Sequence, residues 1–119
     1  MNSSECFSNS FTQARTKFRS AIAAVNGTLE VFKHPNRGLD GEELSTDVAW
    51  LGRPEAPRVL VLISGTHGVE GYCGSGAQVD WLRRGEAQNL PSEVGVLMIH
   101  AINPFGLSGQ GESTRTTST

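Results

Sequence analysis

Two kinds of hydrophobic periodicity alternate along the chain and divide it into helices and strands. Between residues 11 and 25, apolar side chains recur at helical spacing, with polar and basic residues between them. Ser10 is a good N-cap, and Asn26-Gly27 is a good helix stop. The pattern therefore predicts a packing helix whose buried positions are Phe11, Ala14, Phe18, Ala21, Ile22 and Val25.

A second kind of pattern follows the predicted helix. Residues 28 to 34 alternate apolar and polar side chains, as a half-buried strand does. Residues 44 to 51 have the character of another strand, and the segment between them is rich in Pro, Gly, Asn and Asp. We therefore expect these two strands to pair in an antiparallel manner.

The most apolar run of the chain is Val59-Leu60-Val61-Leu62-Ile63. A continuous run of this kind is typical of a central strand that is covered on both faces. Residues 71 to 85 can form a helix, and residues 94 to 100 form the next apolar strand. A strand, a helix and a strand in this order favour a parallel crossover and an α/β fold.

A short polar turn follows the apolar run, with the sequence Ser-Gly-Thr-His-Gly-Val-Glu-Gly over residues 64 to 71. It places His67 and Glu70 at the carboxyl end of a predicted parallel strand, where ligands of such sheets collect. Zinc binds neutral His nitrogen and carboxylate oxygen, and catalytic sites use three protein ligands and a water. His67 and Glu70 are therefore predicted to be two ligands of a zinc site, although this spacing alone is a weak signal.

Three other interpretations of nearby residues stay open at this point. Residues 71 to 76 loosely resemble a phosphate-binding glycine loop, but they lack the Lys-Ser/Thr of a P-loop and the GxGxxG order. Cys73 is either a nucleophile near His67 or a small packed thiol. His100, at the end of a predicted strand, is either a third metal ligand or a packing residue.

Composition and charge argue against nucleic-acid-binding and membrane-associated functions. The chain has 119 residues, with 37% hydrophobic and 18% charged residues, which is typical of one globular domain. Its net charge of -2 gives no electrostatic reason to expect nucleic acid or an anionic membrane as a partner. Cys6 and Cys73 are far apart and are expected to be free thiols. We see no signal peptide and no transmembrane segment, so a cytoplasmic protein is expected.

Several motifs in order resemble a largely uncharacterised bacterial branch of the zinc carboxypeptidase superfamily, the metallocarboxypeptidase-like proteins. The resemblance covers roughly residues 7 to 106 and rests on four segments: Asp47-Val48-Ala49-Trp50-Leu51-Gly52, residues 59 to 71, Gly74-Ser75-Gly76-Ala77-Gln78, and His100-Ala101-Ile102-Asn103-Pro104-Phe105-Gly106. It implies the N-terminal part of a phosphorylase/hydrolase-like α/β fold, with a mixed sheet and flanking helices. It also implies zinc as the cofactor and His67 and Glu70 as its first two ligands.

The same resemblance implies an activity. Family members would hydrolyse a peptide or amide bond of a small peptide or an acyl-amino-acid, with zinc-bound water as the nucleophile. The alternatives are a carboxypeptidase-like enzyme, an N-acyl amino acid deacylase of the same fold, and a non-enzymatic fragment or pseudoenzyme.

The tail departs from the family pattern. Relatives continue after the Asn-Pro-Phe/Tyr-Gly motif with arginines and an asparagine for the substrate, and then with a third ligand His and a catalytic Glu. The present sequence contains none of these after Gly106. We therefore expect an incomplete domain over residues 1 to 106 and a non-native tail over residues 107 to 119, disordered on composition. No residue of this chain is predicted to be catalytic, and the chain is expected to be inactive.

The tail predicts a frameshift just after Gly106. A reading frame that starts at the last base of the Ser108 codon can encode Trp-Ala-Arg-Arg-Val-Asn-Glu-Asp-Asn-Val-Asp, which matches the segment that follows in relatives. Sequencing of the gene and its downstream DNA tests this expectation. A shifted frame that does not resume the family motif would contradict it.

Overall fold

The computed structural model describes residues 2–68 and 70–109. These residues include three α-helices, which we number in chain order: α1 (Phe11–Ala24), α2 (Gly71–Arg83) and α3 (Pro104–Gly109). Four strands are present: β1 (Thr28–Lys33), β2 (Ser45–Leu51), β3 (Arg58–Ile63) and β4 (Val94–His100). Short 3-10 helices occupy Ser3–Cys6 and Glu86–Asn89. The mixed α/β architecture that was predicted from the sequence is confirmed.

The four strands form one sheet in the order β1-β2-β4-β3. β1 pairs with β2 and β2 pairs with β4 in antiparallel orientation, whereas β3 pairs with β4 in parallel orientation. Both predicted pairings are therefore correct. In the parallel pair, Ile63 is opposite Ile99, so the carboxyl ends of β3 and β4 lie side by side.

Helix α1 begins and ends where the sequence predicted. The Ser10 hydroxyl accepts a hydrogen bond from the Gln13 amide at 3.1 Å, as an N-cap does. After the last turn, Asn26 adopts a left-handed conformation with φ 59°, and Gly27 follows it. Asn is one of the few residues that tolerate this conformation, which explains why the chain turns here into β1.

The main core lies between the sheet and the two long helices, α1 and α2, which pack against each other. Alternate residues of β2 and β4 are buried, whereas their neighbours in sequence are half-buried, so the helices cover one face of the sheet. The core residues from the helices and the sheet include Phe18, Ile22, Ala49, Leu51, Val79, Leu82, Val96 and Met98.

The environment of β3 differs from the prediction. The run Val59–Ile63 was expected to be a central strand covered on both faces, but among the described residues β3 pairs only with β4 and forms the edge of the sheet. Val59, Leu60, Val61 and Ile63 are between 46% and 50% exposed. The apolar run correctly predicts a strand, but it cannot specify which element supplies the cover, because that depends on tertiary contacts.

The predicted domain boundary after Gly106 falls inside α3. Leu107 is fully buried, and its carbonyl accepts a hydrogen bond from the Tyr72 hydroxyl at 3.2 Å. Helix α3 thus includes residues on both sides of the predicted boundary, and the boundary itself stays a prediction. Residues 110–119 of the predicted tail lie outside the described residues.

Membrane insertion was not expected from the sequence. Among the helices that the structure describes, none has the length and apolar character required to cross a bilayer.

The exposed edge of β3 should promote self-association. Val61→Lys places a charge on this edge, and charged residues on edge strands prevent pairing with other chains. We expect less self-association in sedimentation velocity across a concentration series. The free energy of unfolding should change by about 1 kcal/mol or less, because Val61 is 46% exposed.

Thr28→Lys is the matched control, because it adds the same charge to β1 at the opposite edge of the sheet. Equal suppression of self-association by both variants would show that net charge, and not the β3 edge, controls the effect.

Candidate metal site

The turn between β3 and α2 carries both predicted metal ligands. His67 and Glu70 are exposed, and they line one shallow cavity of about 240 Å³. Glu70 occupies the N-cap position of α2, and the Gly71 amide donates to the carbonyls of His67 and Gly68 at 3.0 Å each. The turn therefore leads directly into the helix. The cavity is lined by Ile63, Ser64, Gly65, Thr66, His67, Glu70, Gly71 and Gly74.

Backbone hydrogen bonds join this turn to the loop that follows β4. The Ile102 amide donates to the Ser64 carbonyl at 2.9 Å, and the Asn103 amide donates to the Gly65 carbonyl at 3.0 Å. The Ser64 hydroxyl accepts a hydrogen bond from the Ala101 amide at 3.2 Å. The pairing of β3 with β4 thus continues beyond the ends of both strands and fixes the start of the turn.

Close backbone approach makes glycine necessary at one position of this turn. Gly65 has φ +78°, and a Cβ there would lie 2.6 Å from the Cα of Ala101. Ala101 itself is buried and has φ 62°. The left-handed conformation costs a non-glycine residue about 1–2 kcal/mol, so the hydrogen bonds between the two loops must offset this cost.

The chemistry of the two side chains fits part of a zinc site. An imidazole and a carboxylate face the same cavity, and neither side chain forms a hydrogen bond or an ion pair with another described residue. Within residues 2–68 and 70–109, however, no group of three His, Cys, Asp or Glu residues could hold a metal ion. A catalytic zinc site uses three protein ligands, and this imidazole and this carboxylate have the chemistry of two of them.

His100 lies in the core and not in this cavity. It is fully buried, its Nε2 lies 2.8 Å from the Ser75 hydroxyl, and its ring stacks on Phe18 with the centroids 4.6 Å apart. The interpretation of His100 as a packing residue is supported, and its role as a third ligand is not. The alternation of Val96, Met98 and His100 predicts an inward-facing ring, whereas nothing in the sequence identifies Ser75 as its partner.

Burial also changes the acid–base behaviour of His100. Desolvation lowers its pKa to about 4, because the charged form loses its hydration in the core. The nearby Asp47 carboxylate raises the pKa, and Arg19 and Arg15 lower it further, but burial is the largest effect. The ring is therefore neutral at physiological pH.

Asp47 forms a buried ion pair with Arg19. Its carboxylate is 1% exposed and accepts hydrogen bonds from the Arg19 Nε at 2.7 Å and the Ser45 hydroxyl at 2.9 Å. A buried carboxylate requires such partners. Asp47 is opposite His100 in the β2–β4 register, so the ion pair and the buried ring are neighbours in the core.

The fold also bears on the other two interpretations, the glycine loop and the packed Cys73 thiol. Residues 71 to 76 form the first turns of α2, and not a glycine loop that could surround a phosphate. Cys73 is exposed, so its interpretation as a packed thiol is wrong: the helix turns Tyr72 and Ser75 towards the core and Cys73 away from it. Both Cys73 and the buried Cys6 are free thiols, as expected.

Comparison with known proteins identifies the family. Residues 7–116 match the family model described as "Protein of unknown function (DUF2817)", which covers most of the chain. The chain belongs to the DUF2817 family. No curated protein sequence matches this DUF2817 chain significantly.

Several solved structures share the fold of the DUF2817 chain. Glutaminyl cyclase from Macrostomum lignano aligns with a TM-score of 0.52 and 18% identity over 72% of this chain and 29% of its own. A Zn-dependent exopeptidase from Parabacteroides distasonis has a TM-score of 0.52 and 14% identity, over 74% of this chain and 37% of its own. A leucine aminopeptidase precursor from Bacteroides thetaiotaomicron has a TM-score of 0.52 and 15% identity, with the same two coverages.

These comparisons show a shared fold. The DUF2817 chain spans between 29% and 37% of the length of the three solved proteins. The α/β fold with a mixed sheet and flanking helices, which the sequence resemblance implied, is therefore confirmed for this chain. The carboxypeptidase branch, the frameshift and the roles of His67 and Glu70 stay predictions.

The buried His100 should make the protein less stable in weak acid. Its pKa is about 4 in the folded protein and about 6.5 in the unfolded chain, so only the unfolded chain binds a proton between these pH values. The free energy of unfolding should therefore be unaffected above about pH 6.5, fall as the pH decreases below it, and lose about 3 kcal/mol by pH 4.

Urea unfolding across this pH range measures the effect, and His100→Gln should remove this part of the pH dependence. His34→Gln is the control, since His34 lies after β1 outside the core and should keep the wild-type profile. An unchanged pH profile in His100→Gln would contradict the prediction.

Proposed function

We propose that this chain carries half of the metal site of a zinc-dependent hydrolase of peptide or amide bonds, with His67 and Glu70 as two of the ligands. The observation that supports this most directly is the exposure of both side chains to one cavity at the carboxyl end of β3. Imidazole nitrogen and carboxylate oxygen are both ligands that zinc prefers.

Zinc, when bound, supplies a Lewis acid that polarises a carbonyl group and activates water. The chain's own contribution is to hold two donors in place. The backbone of Glu70 lies at the N-cap of α2, and the carbonyl of His67 accepts a hydrogen bond from the Gly71 amide. The open cavity beside them leaves room for a small substrate.

The substrate class follows from the motif resemblance. We propose a small peptide or an acyl-amino-acid, cleaved in a carboxypeptidase-like reaction, with an N-acyl amino acid deacylase as the alternative. The Zn-dependent exopeptidase and the leucine aminopeptidase precursor support a zinc-peptidase fold, but they do not distinguish these two reactions.

A second proposal concerns the 119-residue chain alone, which we propose to be a non-enzymatic fragment that binds zinc weakly. The described residues contain no three-residue metal cluster, and this absence favours weak binding without turnover. The catalytic residues would lie in the segment that relatives carry after the Asn-Pro-Phe-Gly motif, as the frameshift proposal requires.

Zinc titration in competition with a chromophoric chelator tests the half-site. We expect weak binding, and His67→Ala or Glu70→Gln should lower the affinity by at least about tenfold, since even loss of an outer-shell partner has an effect of this size. His34→Ala is the control, because it removes a histidine that lies outside the cavity. Equal binding by the wild type and by His67→Ala would refute the proposed site.

Hydrolysis of dipeptide and acyl-amino-acid panels tests the activity. The purified 119-residue chain should show no turnover, whereas a chain with the reading frame restored after Gly106 should show zinc-dependent turnover. Turnover by the 119-residue chain that His67→Ala abolishes would refute the inactive interpretation. A restored chain without metal-dependent activity would count against the hydrolase proposal.

A further inference from the structure

A buried pair of polar side chains joins α2 to β4 inside the apolar core. Ser75 is 2% exposed and His100 is fully buried, and the Ser75 hydroxyl lies 2.8 Å from the His100 Nε2. Among the described residues, this is the one hydrogen bond of the His100 ring, because its Nδ1 has no partner. Loss of either side would leave a buried polar group unpaired, which is costly in a core.

The His100 ring is held from a second side. It stacks on Phe18 of α1, with the centroids 4.6 Å apart and the rings inclined by 19°. The position of the ring is therefore fixed by α1 and by its place at the end of β4. Ser75, in the second turn of α2, is bonded to a group that is itself immobilised.

The same part of α2 makes a second directional contact with the sheet. The Gln78 side-chain amide donates to the carbonyl of Leu62 at 3.0 Å and to that of Ile99 at 3.3 Å. These carbonyls lie near the ends of β3 and β4. Hydrogen bonds from Ser75 and Gln78 thus fix where α2 lies along the strands.

The other contacts between the N-terminal end of α2 and the turn after β3 are close packing contacts, which have no preferred direction. A Cβ on Gly71 would lie 2.7 Å from the Cα of Gly65, and one on Gly74 would lie 3.2 Å from the Cβ of Ser64. Glycines permit the helix to approach the sheet, but they do not determine its axial position. A small axial shift of α2 would move Glu70, its N-cap, relative to the turn that carries His67.

We propose that Ser75 and His100 form a positioning pair for the metal half-site, because their hydrogen bond sets the first turn of α2, and hence Glu70, relative to His67. This inference rests on the proposed function and deepens it. Neither residue contacts the metal, and both act through the helix.

The test compares two truncations in the same helix. Ser75→Ala removes the hydroxyl, and Val79→Ala is the matched control, because Val79 is also fully buried in α2 but makes only apolar contacts. Both variants should lower the free energy of unfolding. Ser75→Ala should also lower zinc affinity about tenfold, the lower end of the effect of losing a group that orients a metal ligand, whereas Val79→Ala should leave the affinity of the folded protein unchanged.

Hydrogen exchange provides a readout that does not depend on metal. The Gly71 and Cys73 amides donate to carbonyls of the turn, those of His67, Gly68 and Glu70. In Ser75→Ala, the exchange rates of these two amides should rise by more than the decrease in the free energy of global unfolding explains. In Val79→Ala they should change only as much as global stability does.

Two variants of His100 show whether the hydrogen bond itself is responsible. His100→Phe keeps a ring against Phe18 but removes the hydrogen bond to Ser75. It should therefore lower zinc affinity and speed amide exchange at the turn, as Ser75→Ala does. This variant also tests the inference if Ser75→Ala does not fold. His100→Gln keeps a side-chain partner for Ser75 and should restore most of the affinity and protection. The double variant Ser75→Ala/His100→Phe should show the same zinc affinity and the same amide exchange at the turn as either single variant, since both substitutions remove one shared interaction.

Each outcome decides the inference. Equal effects of Ser75→Ala and Val79→Ala on the Gly71 and Cys73 amides would overturn it and leave the pair as ordinary core packing. If zinc binding is insensitive to His67→Ala, the proposed metal site fails, but the exchange data still decide whether Ser75 positions the turn. If His67→Ala weakens zinc binding but Ser75→Ala leaves the zinc affinity unchanged, the positioning role of the pair would also be overturned.

Discussion

The parallel pairing of β3 with β4 continues past both strands, and the candidate site depends on this continuation. The loops after the strands share two backbone hydrogen bonds and one from the Ala101 amide to the Ser64 hydroxyl. This contact requires glycine at position 65 and holds Ala101 in a left-handed conformation. The polar turn thereby acquires a defined start. Because the turn leads straight into α2, the same contact also defines where the helix begins.

The core beside the site is more polar than the hydrophobic pattern suggests. One face of the sheet carries the ion pair of Asp47 with Arg19 and, next to it, the neutral ring of His100 bonded to Ser75. Buried polar groups contribute little net stability, but they are costly to leave unpaired and so favour one arrangement of the surrounding elements. Here they connect both long helices to the same end of the sheet, where His67 and Glu70 lie.

Strand β3 forms one edge of the described sheet, and the turn that follows it carries His67 and Glu70. Among the described residues, β3 has one neighbouring strand, and most of its aliphatic side chains are half-exposed. Within the same residues, no third His, Cys, Asp or Glu joins His67 and Glu70 in a group that could hold a metal ion. The chain also spans only 29% to 37% of the solved proteins named above.

The sequence by itself determined the elements and their order. The helical spacing from Phe11 to Val25, the apolar run at 59 to 63 and the turn with His67 and Glu70 all depend on local periodicity and turn chemistry, which are properties of neighbouring residues. The strand–helix–strand order was also sufficient to predict the parallel pair. Only the tertiary structure decided that β3 is an edge strand, that Cys73 is exposed, and that His100 is bonded to Ser75, 25 residues away. These features depend on which elements pack together, and a single sequence pattern contains no signal for contacts between residues so far apart.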